Sequence, residues 1–92
     1  MGGAPLNNLR DEDVRGELER ILSSPEFETS ERNRRFLRHV VEETLGGRAD
    51  RIKAYSVATR VFGRGDDFDP VLDSIVRIEA ARLRRALEHY YL

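Results

Sequence analysis

Hydrophobic residues recur along this chain at helical rather than alternating spacing, in four separate stretches. Val14, Leu18, Ile21 and Leu22 predict a first helix from about Asp11 to Leu22, with acidic residues in its first turn, where the helix dipole favours them. Ser23-Ser24-Pro25 ends it, because proline lacks an N–H and disfavours a helical residue before it. Phe27 is expected to pin the following linker to the core. Ser30 is the expected N-cap of a second helix, in which Phe36, Leu37, Val40, Val41, Thr44 and Leu45 form a broad apolar face. Gly46-Gly47 supplies a stop at the C′ position.

Arg48 to Lys53 is a polar connection with Ile52 as its anchor. A short third helix, about Tyr55 to Phe62, presents Val57, Ala58, Val61 and Phe62 before Gly63 closes it. The stretch from Gly63 to Pro70 is rich in turn residues, with Phe68 expected inside and Asp69-Pro70 starting a turn. Asp73 is the expected N-cap of a long last helix reaching the end of the chain. β-branched residues nowhere alternate with polar ones, so no strand is expected and the fold class is all-α.

The last helix has two chemically opposite faces. At about 100° per residue, Val76, Ala80, Leu83, Leu87 and Tyr90 fall on one stripe, with Leu72, Ile75, Ala86 and Tyr91 at its margins. Opposite lie Ser74, Arg77, Ile78, Ala81, Arg84 and Arg85, with Arg82 and His89 at one edge and Glu88 among them. Small residues at the centre allow close approach to another surface, and guanidinium forks at the rim can bond phosphate oxygens or the acceptor edge of guanine. The alternative is a solvated face, since Arg, Leu and Ala are simply good helix formers. Glu79 falls near the buried stripe, so it needs a partner, and Arg35 or Arg60 is expected to supply it.

Ninety-two residues make one domain, expected over residues 9–92 behind a flexible lead-in over residues 1–8. Hydrophobic residues at 39% and charged residues at 36% suit a helix-rich globule rather than a disordered chain. A net charge of −1 argues against a strongly basic protein that coats nucleic acid, but acidic residues crowd the first third and arginines the later part. The surface is therefore expected to be dipolar. The chain has no cysteine for disulfides or thiolate metal sites, and no apolar run long enough for a membrane span or signal peptide; a cytoplasmic location is expected. His39 and His89 lack the companions a metal site needs, and no catalytic triad or phosphate-binding glycine loop stands out. Neither enzymatic activity nor a cofactor is expected. The Arg32-Asn33-Arg34-Arg35 cluster is unfavourably placed for the dipole of the second helix, which hints at a bound anion or an acidic partner.

Val61-Phe62-Gly63 closing a short helix, and Val76-Arg77-Ile78-Glu79-Ala80-Ala81-Arg82-Leu83-Arg84-Arg85 in a long one, resemble elements of the winged helix-turn-helix DNA-binding domain of response-regulator transcription factors. More closely, Phe36 to Leu45, Val61 to Arg64, Asp67-Phe68-Asp69-Pro70 and Ile75 to Ala80 look like a domain found at the amino terminus of bacterial adenylate-cyclase-like, tetratricopeptide and propeller-fused regulatory proteins. That resemblance implies a tri-helical helix-turn-helix core with an extra N-terminal helix. It departs from the pattern in one respect: after the last helix no residues remain for a β-hairpin wing, as expected of a fragment cut before the wing or of a wingless form.

The expected function is that of a bacterial transcriptional regulator that places its last helix in the major groove of double-stranded DNA. Arg77, Arg84 and Arg85 are the first candidates for groove and phosphate contacts, with Ser74, Ile78 and Ala81 near base edges and Arg82 at the margin. Tyr55, Ser56, Arg60 and Lys53 are candidate positioning contacts to phosphate. A homodimer is expected, because one small module without a wing makes few phosphate contacts. The alternative is a protein-interaction module that docks a regulatory protein through Ile78, Ala81, Tyr90 and Tyr91.

Overall fold

Ser30 and Gly47 bracket the second helix of the chain. In the computed structural model, which describes the backbone from Gly3 to Leu92 and side chains from Arg10 onward, α2 spans Glu31–Leu45. The Ser30 hydroxyl accepts from the Asn33 N–H at 3.1 Å, satisfying one of the free donors of the first turn. At the other end, Gly47 takes a φ of +77° that side-chain-bearing residues avoid. That conformation lets the N–H groups of Gly47 and Arg48 bond the carbonyls of Thr44 and Glu43 at 3.1 and 2.8 Å, a Schellman closure.

α1 spans Gly3–Ser23, so it starts at Gly3 rather than at Asp11. Of the expected lead-in, residues 1 and 2 lie outside the described residues, and from Gly3 the backbone is helical. Pro5 does not prevent this, because it falls in the first turn, where the missing N–H has no partner to lose. The Asp11–Asp13 cluster consequently sits in mid-helix, out of reach of the dipole argument. The helix stops at Ser23, as the following Ser24-Pro25 requires.

Beyond α2, a single 3₁₀ turn at Ala49–Arg51 leads into α3, Ala54–Arg60. Its end is drawn in by the N–H of Phe62 bonding the carbonyl of Val57 at 3.3 Å, and Gly63 turns the chain at a φ of +71°. The loop to α4 is organised by Asp69, whose carboxylate accepts from the Val71 N–H at 2.9 Å and whose carbonyl accepts from Asp73 N–H at 2.9 Å. α4 then runs Ile75–Tyr91. Ser74 occupies its N-cap without a side-chain bond; Asp73, one residue earlier, accepts from the Ile75 N–H at 3.0 Å and does the capping expected of it. Among the described residues the architecture is four α-helices with no strand, so the all-α expectation holds.

Phe27 is fully buried where these elements meet, flanked by Leu18 and Ile21 of α1, Phe36 and Leu37 of α2, Val57 and Phe62 of the α3 region, and Ile75, Leu83 and Ala86 of α4. Each fully buried large apolar side chain contributes about 1.5–3 kcal/mol relative to exposure. The Phe36 and Phe62 rings meet edge to face, with centroids 5.4 Å apart. Val40, Val41, Ile52, Phe68 and Leu22 pack at the margin, while Thr44, expected on the apolar face of α2, is exposed and bonds back to the Val40 carbonyl.

The buried stripe of α4 is Ile75, Glu79, Leu83 and Ala86, with Val76, Ala80, Leu87 and Tyr90 only half-buried. The helix is therefore rotated from the expected orientation by roughly 65° at 100° per residue. Its cause is polar: turning Glu79 fully inward lets it meet α2, which an apolar pattern alone does not predict. Leu72, expected at the margin of this stripe, is 85% exposed because it lies in the turn before the helix.

Candidate nucleic-acid interface

An arginine already paired with a carboxylate has part of its charge and donors committed within the protein, so unpaired arginines are the stronger candidates for gripping a polyanion. Arg15 pairs with Glu42 at 2.7 Å, Arg20 with Glu17 at 2.9 Å, Arg38 with Glu19 at 3.0 Å, Arg48 with Glu43 at 3.1 Å, and Arg64 with Asp73 at 2.8 Å. Arg34 spends its guanidinium on the carbonyls of Leu22 and Phe27 and lies 5.5 Å from the Phe27 ring centre. Among the described residues no ion pair engages Arg77, Arg84 or Arg85, and all three are exposed on the outer face of α4.

Between them, Ile78 is 46% exposed and Ala81 is half-buried, so the centre of this face is low and apolar with guanidinium groups around it. Glu88 is exposed on the same face and tempers its charge near the C-terminal end. Ser74 lies at the N-terminal end, where it and Arg77 line a hollow of about 360 Å³ with Ala54, Phe68, Val71 and Val76. The start of α3 and the start of α4 therefore face one opening.

Arg82 has a different task from the other α4 arginines. Its Nη1 donates to Glu79 Oε2 at 3.0 Å, and Arg32 stands 3.8 Å from the same oxygen. Glu79 is 1% exposed; Asn33, itself fully buried, donates from Nδ2 to Glu79 Oε1 at 3.0 Å and to the Glu79 carbonyl at 2.9 Å. Thr29 completes the set by donating to Asn33 Oδ1 at 2.9 Å. The expected partners Arg35 and Arg60 are thus replaced by Arg82, Arg32 and Asn33. An arginine one turn along α4 and the first turn of α2 reach the carboxylate, whereas Arg35 and Arg60 line a groove elsewhere.

Lys53, Tyr55, Ser56 and Arg60 come together along one groove of about 330 Å³ between α2 and α3, together with His39 and Glu43. Tyr55 is 49% exposed and Lys53 and Arg60 are exposed, as phosphate contacts require. Ser56 is committed internally: its hydroxyl accepts from the Lys53 N–H at 3.2 Å and donates to the carbonyls of Arg51 and Lys53. It closes the first turn of α3 as a cap. The Arg48 hydrogen bond holds the Glu43 carboxyl below the usual carboxylate range against its partial desolvation, with the charges of His39 and Arg60 adding to the effect.

Sequence reasoning missed three features. Arg64 and Asp73 latch the two ends of the α3–α4 loop, and that hydrogen bond, with the one from the Ile75 N–H, keeps the Asp73 carboxyl below its ordinary range. Val71 and Leu72 stand 84% and 85% exposed beside the N-terminus of α4. Tyr91 donates to Glu17 Oε2 at 2.7 Å, tying the end of α4 to α1; the bond pushes the phenol up and the carboxyl down. The Asp69-Pro70 turn signal pointed towards the second feature; nothing in the sequence announced the other two.

Among the described residues no group of three or more His, Cys, Asp or Glu side chains could hold a metal ion, and no helix is long and apolar enough to cross a membrane. Compared with known protein families, curated proteins and solved structures, the chain matches none.

Proposed function

We propose that this chain is a helix-turn-helix module that binds double-stranded DNA in transcriptional regulation, with α4 lying in the major groove. The observation that carries the reading is the sorting of arginines. Arg77, Arg84 and Arg85 project free from the outer face of α4, around Ile78 and Ala81, while the inner face is held by Glu79 and the core. Arg77 and Arg85 contact base edges or flanking phosphates, and Lys53, Tyr55 and Arg60 hold the backbone. Two copies supply a paired half-site, since one module offers few phosphate contacts.

Selection from random duplexes, followed by sequencing, tests this with the Arg77→Ala/Arg85→Ala variant as control. A defined motif enriched by the native chain and lost in the control supports the reading. Absence of enrichment at low salt, with helical circular dichroism intact, overturns it. Salt dependence checks it independently, with a log–log slope of about −0.9 for each phosphate contact.

The exposed Val71, Leu72 and Ile78 favour a second reading, a surface that docks a regulatory protein. In that case association resists salt and responds to Leu72→Asp and Ile78→Asp.

A further inference from the structure

Once ion pairs are assigned, the cations left over fall mainly into two groups. One is the outer face of α4. The other lies across the groove between α2 and α3, where Arg35, Arg51, Lys53 and Arg60 have no carboxylate within ion-pair distance among the described residues. The basic cluster at the start of α2 resolves in the same way: Arg32 turns to Glu79 and Arg34 to the carbonyls of Leu22 and Phe27, so Arg35 alone is unassigned.

Arg35 and Arg60 line one hollow of about 370 Å³ with Arg38, His39, Glu42 and Val61. The acidic side chain there is already engaged, since Glu42 bonds Arg15 at 2.7 Å, and Arg38 is engaged by Glu19. The hollow therefore keeps the charge of two uncompensated guanidinium groups. His39 lines both this hollow and the adjoining one, and its Nε2 is buried without a hydrogen-bond partner. His39 thus adds an unassigned polar atom to a hollow already lined by two free guanidinium groups, where buried polar atoms are otherwise nearly always satisfied. Arginine pairs suit a tetrahedral oxyanion, because each planar fork offers two parallel donors. Glu43, ionised, and Asp50 line the adjoining groove and disfavour an anion on that side, which confines the site to the side of Arg35.

We infer that the hollow between α2 and α3 is a phosphate-binding site, with Arg35 and Arg60 as its ligands and His39 closing its floor. It is separate from the outer face of α4, shares Arg60 with the backbone contacts proposed above, and does not depend on base reading by that face. A backbone phosphate of a nucleic acid and a free phosphate present the same chemistry to it.

The test is a nuclear magnetic resonance titration of the full chain with inorganic phosphate at constant ionic strength, following the arginine Nε–H and histidine ring signals, with chloride as reference. Saturable shifts in the millimolar range at Arg35, Arg60 and His39, weakened at least about tenfold in Arg35→Gln/Arg60→Gln, support the site. Both substituted positions are exposed, and an unchanged amide spectrum elsewhere shows that the variant is folded. A second titration with a short duplex separates the sources: shifts at the same signals identify a nucleic-acid phosphate as the occupant, and their absence a free phosphate. Linear, unsaturated shifts with phosphate, or equal shifts in the double variant, overturn the inference whatever becomes of the α4 reading.

Discussion

Asn33 and Glu79 stand far apart in sequence and are joined by two hydrogen bonds in the interior, from one side-chain amide to the carboxylate and the carbonyl of the same residue, at 3.0 and 2.9 Å. With Arg82 and Arg32 on the other carboxylate oxygen, this contact fixes the roll of α4 about its own axis. The arginines on the opposite side of the helix owe their direction to it.

Glu79→Ala should destabilise the fold by about 2–3 kcal/mol, because it leaves the buried Asn33 amide with only the backbone carbonyl of position 79 and removes the carboxylate that Arg82 and Arg32 face. Urea unfolding followed by circular dichroism measures it. A loss below about 1 kcal/mol, within the range of an ordinary surface substitution, would contradict the buried network.

Phe27→Ala should cost about 3–5 kcal/mol, a large share of the roughly 5–14 kcal/mol that holds a domain of this size together. Phe27→Leu, which keeps most of the buried volume, should remain folded. Thermal melts of the two variants decide whether Phe27 is the centre of the core.

Ser30→Ala removes the acceptor for the Asn33 N–H at the first turn of α2 and should lower stability by about 1 kcal/mol. Ser30→Asp should restore most of it. If both variants melted with the native chain, the cap would carry no weight.

The bond from Tyr91 to Glu17 lowers the carboxyl and raises the phenol. The Glu17 contribution is present above its unfolded-state value and fades as pH falls through the lowered folded one. The Tyr91 contribution is present below its unfolded-state value and fades as pH rises through the raised folded one. Tyr91→Phe should therefore lower the melting temperature slightly between about pH 4 and pH 10 and converge with the native chain in acid. A difference that persists at pH 2 would assign the effect to packing.

If α4 reads DNA, Arg77→Ala should reduce the salt slope of binding by about one contact while leaving stability unchanged. Arg82→Ala should do the reverse, lowering stability through Glu79 with a smaller effect on the slope. Fluorescence anisotropy across a salt series, paired with melting curves, separates the two arginines; identical behaviour would refute their division of labour.

Features set by local chemistry were legible in the sequence. Ser30 caps, Gly47 stops and Ser24-Pro25 terminates because each acts within a few residues of itself. The free arginines of α4 were legible as a face because helical periodicity alone places them. What escaped depends on tertiary partners. Apolar periodicity gave the wrong roll of α4 because a carboxylate, not a leucine, occupies the centre of its buried side. Glu79 was readable as buried and paired, but its partners depend on which turn of α2 lies against it. Ser56 resembled a phosphate contact because a free hydroxyl and a capping one look the same in sequence. Glycines and a proline near a chain end read as linker although a first helical turn tolerates both, so sequence alone places the start of α1 too late.

The Asn33–Glu79 contact also makes α4 an exchangeable part. The side chains that seat the helix lie on its inner side and at Arg82 and Tyr91, none of them at 77, 78, 81, 84 or 85, so those identities can be rewritten with little disturbance of the seat. A library randomised at those five positions, with Asn33, Glu79 and Arg82 held constant, would retain the scaffold while its outer surface samples new targets.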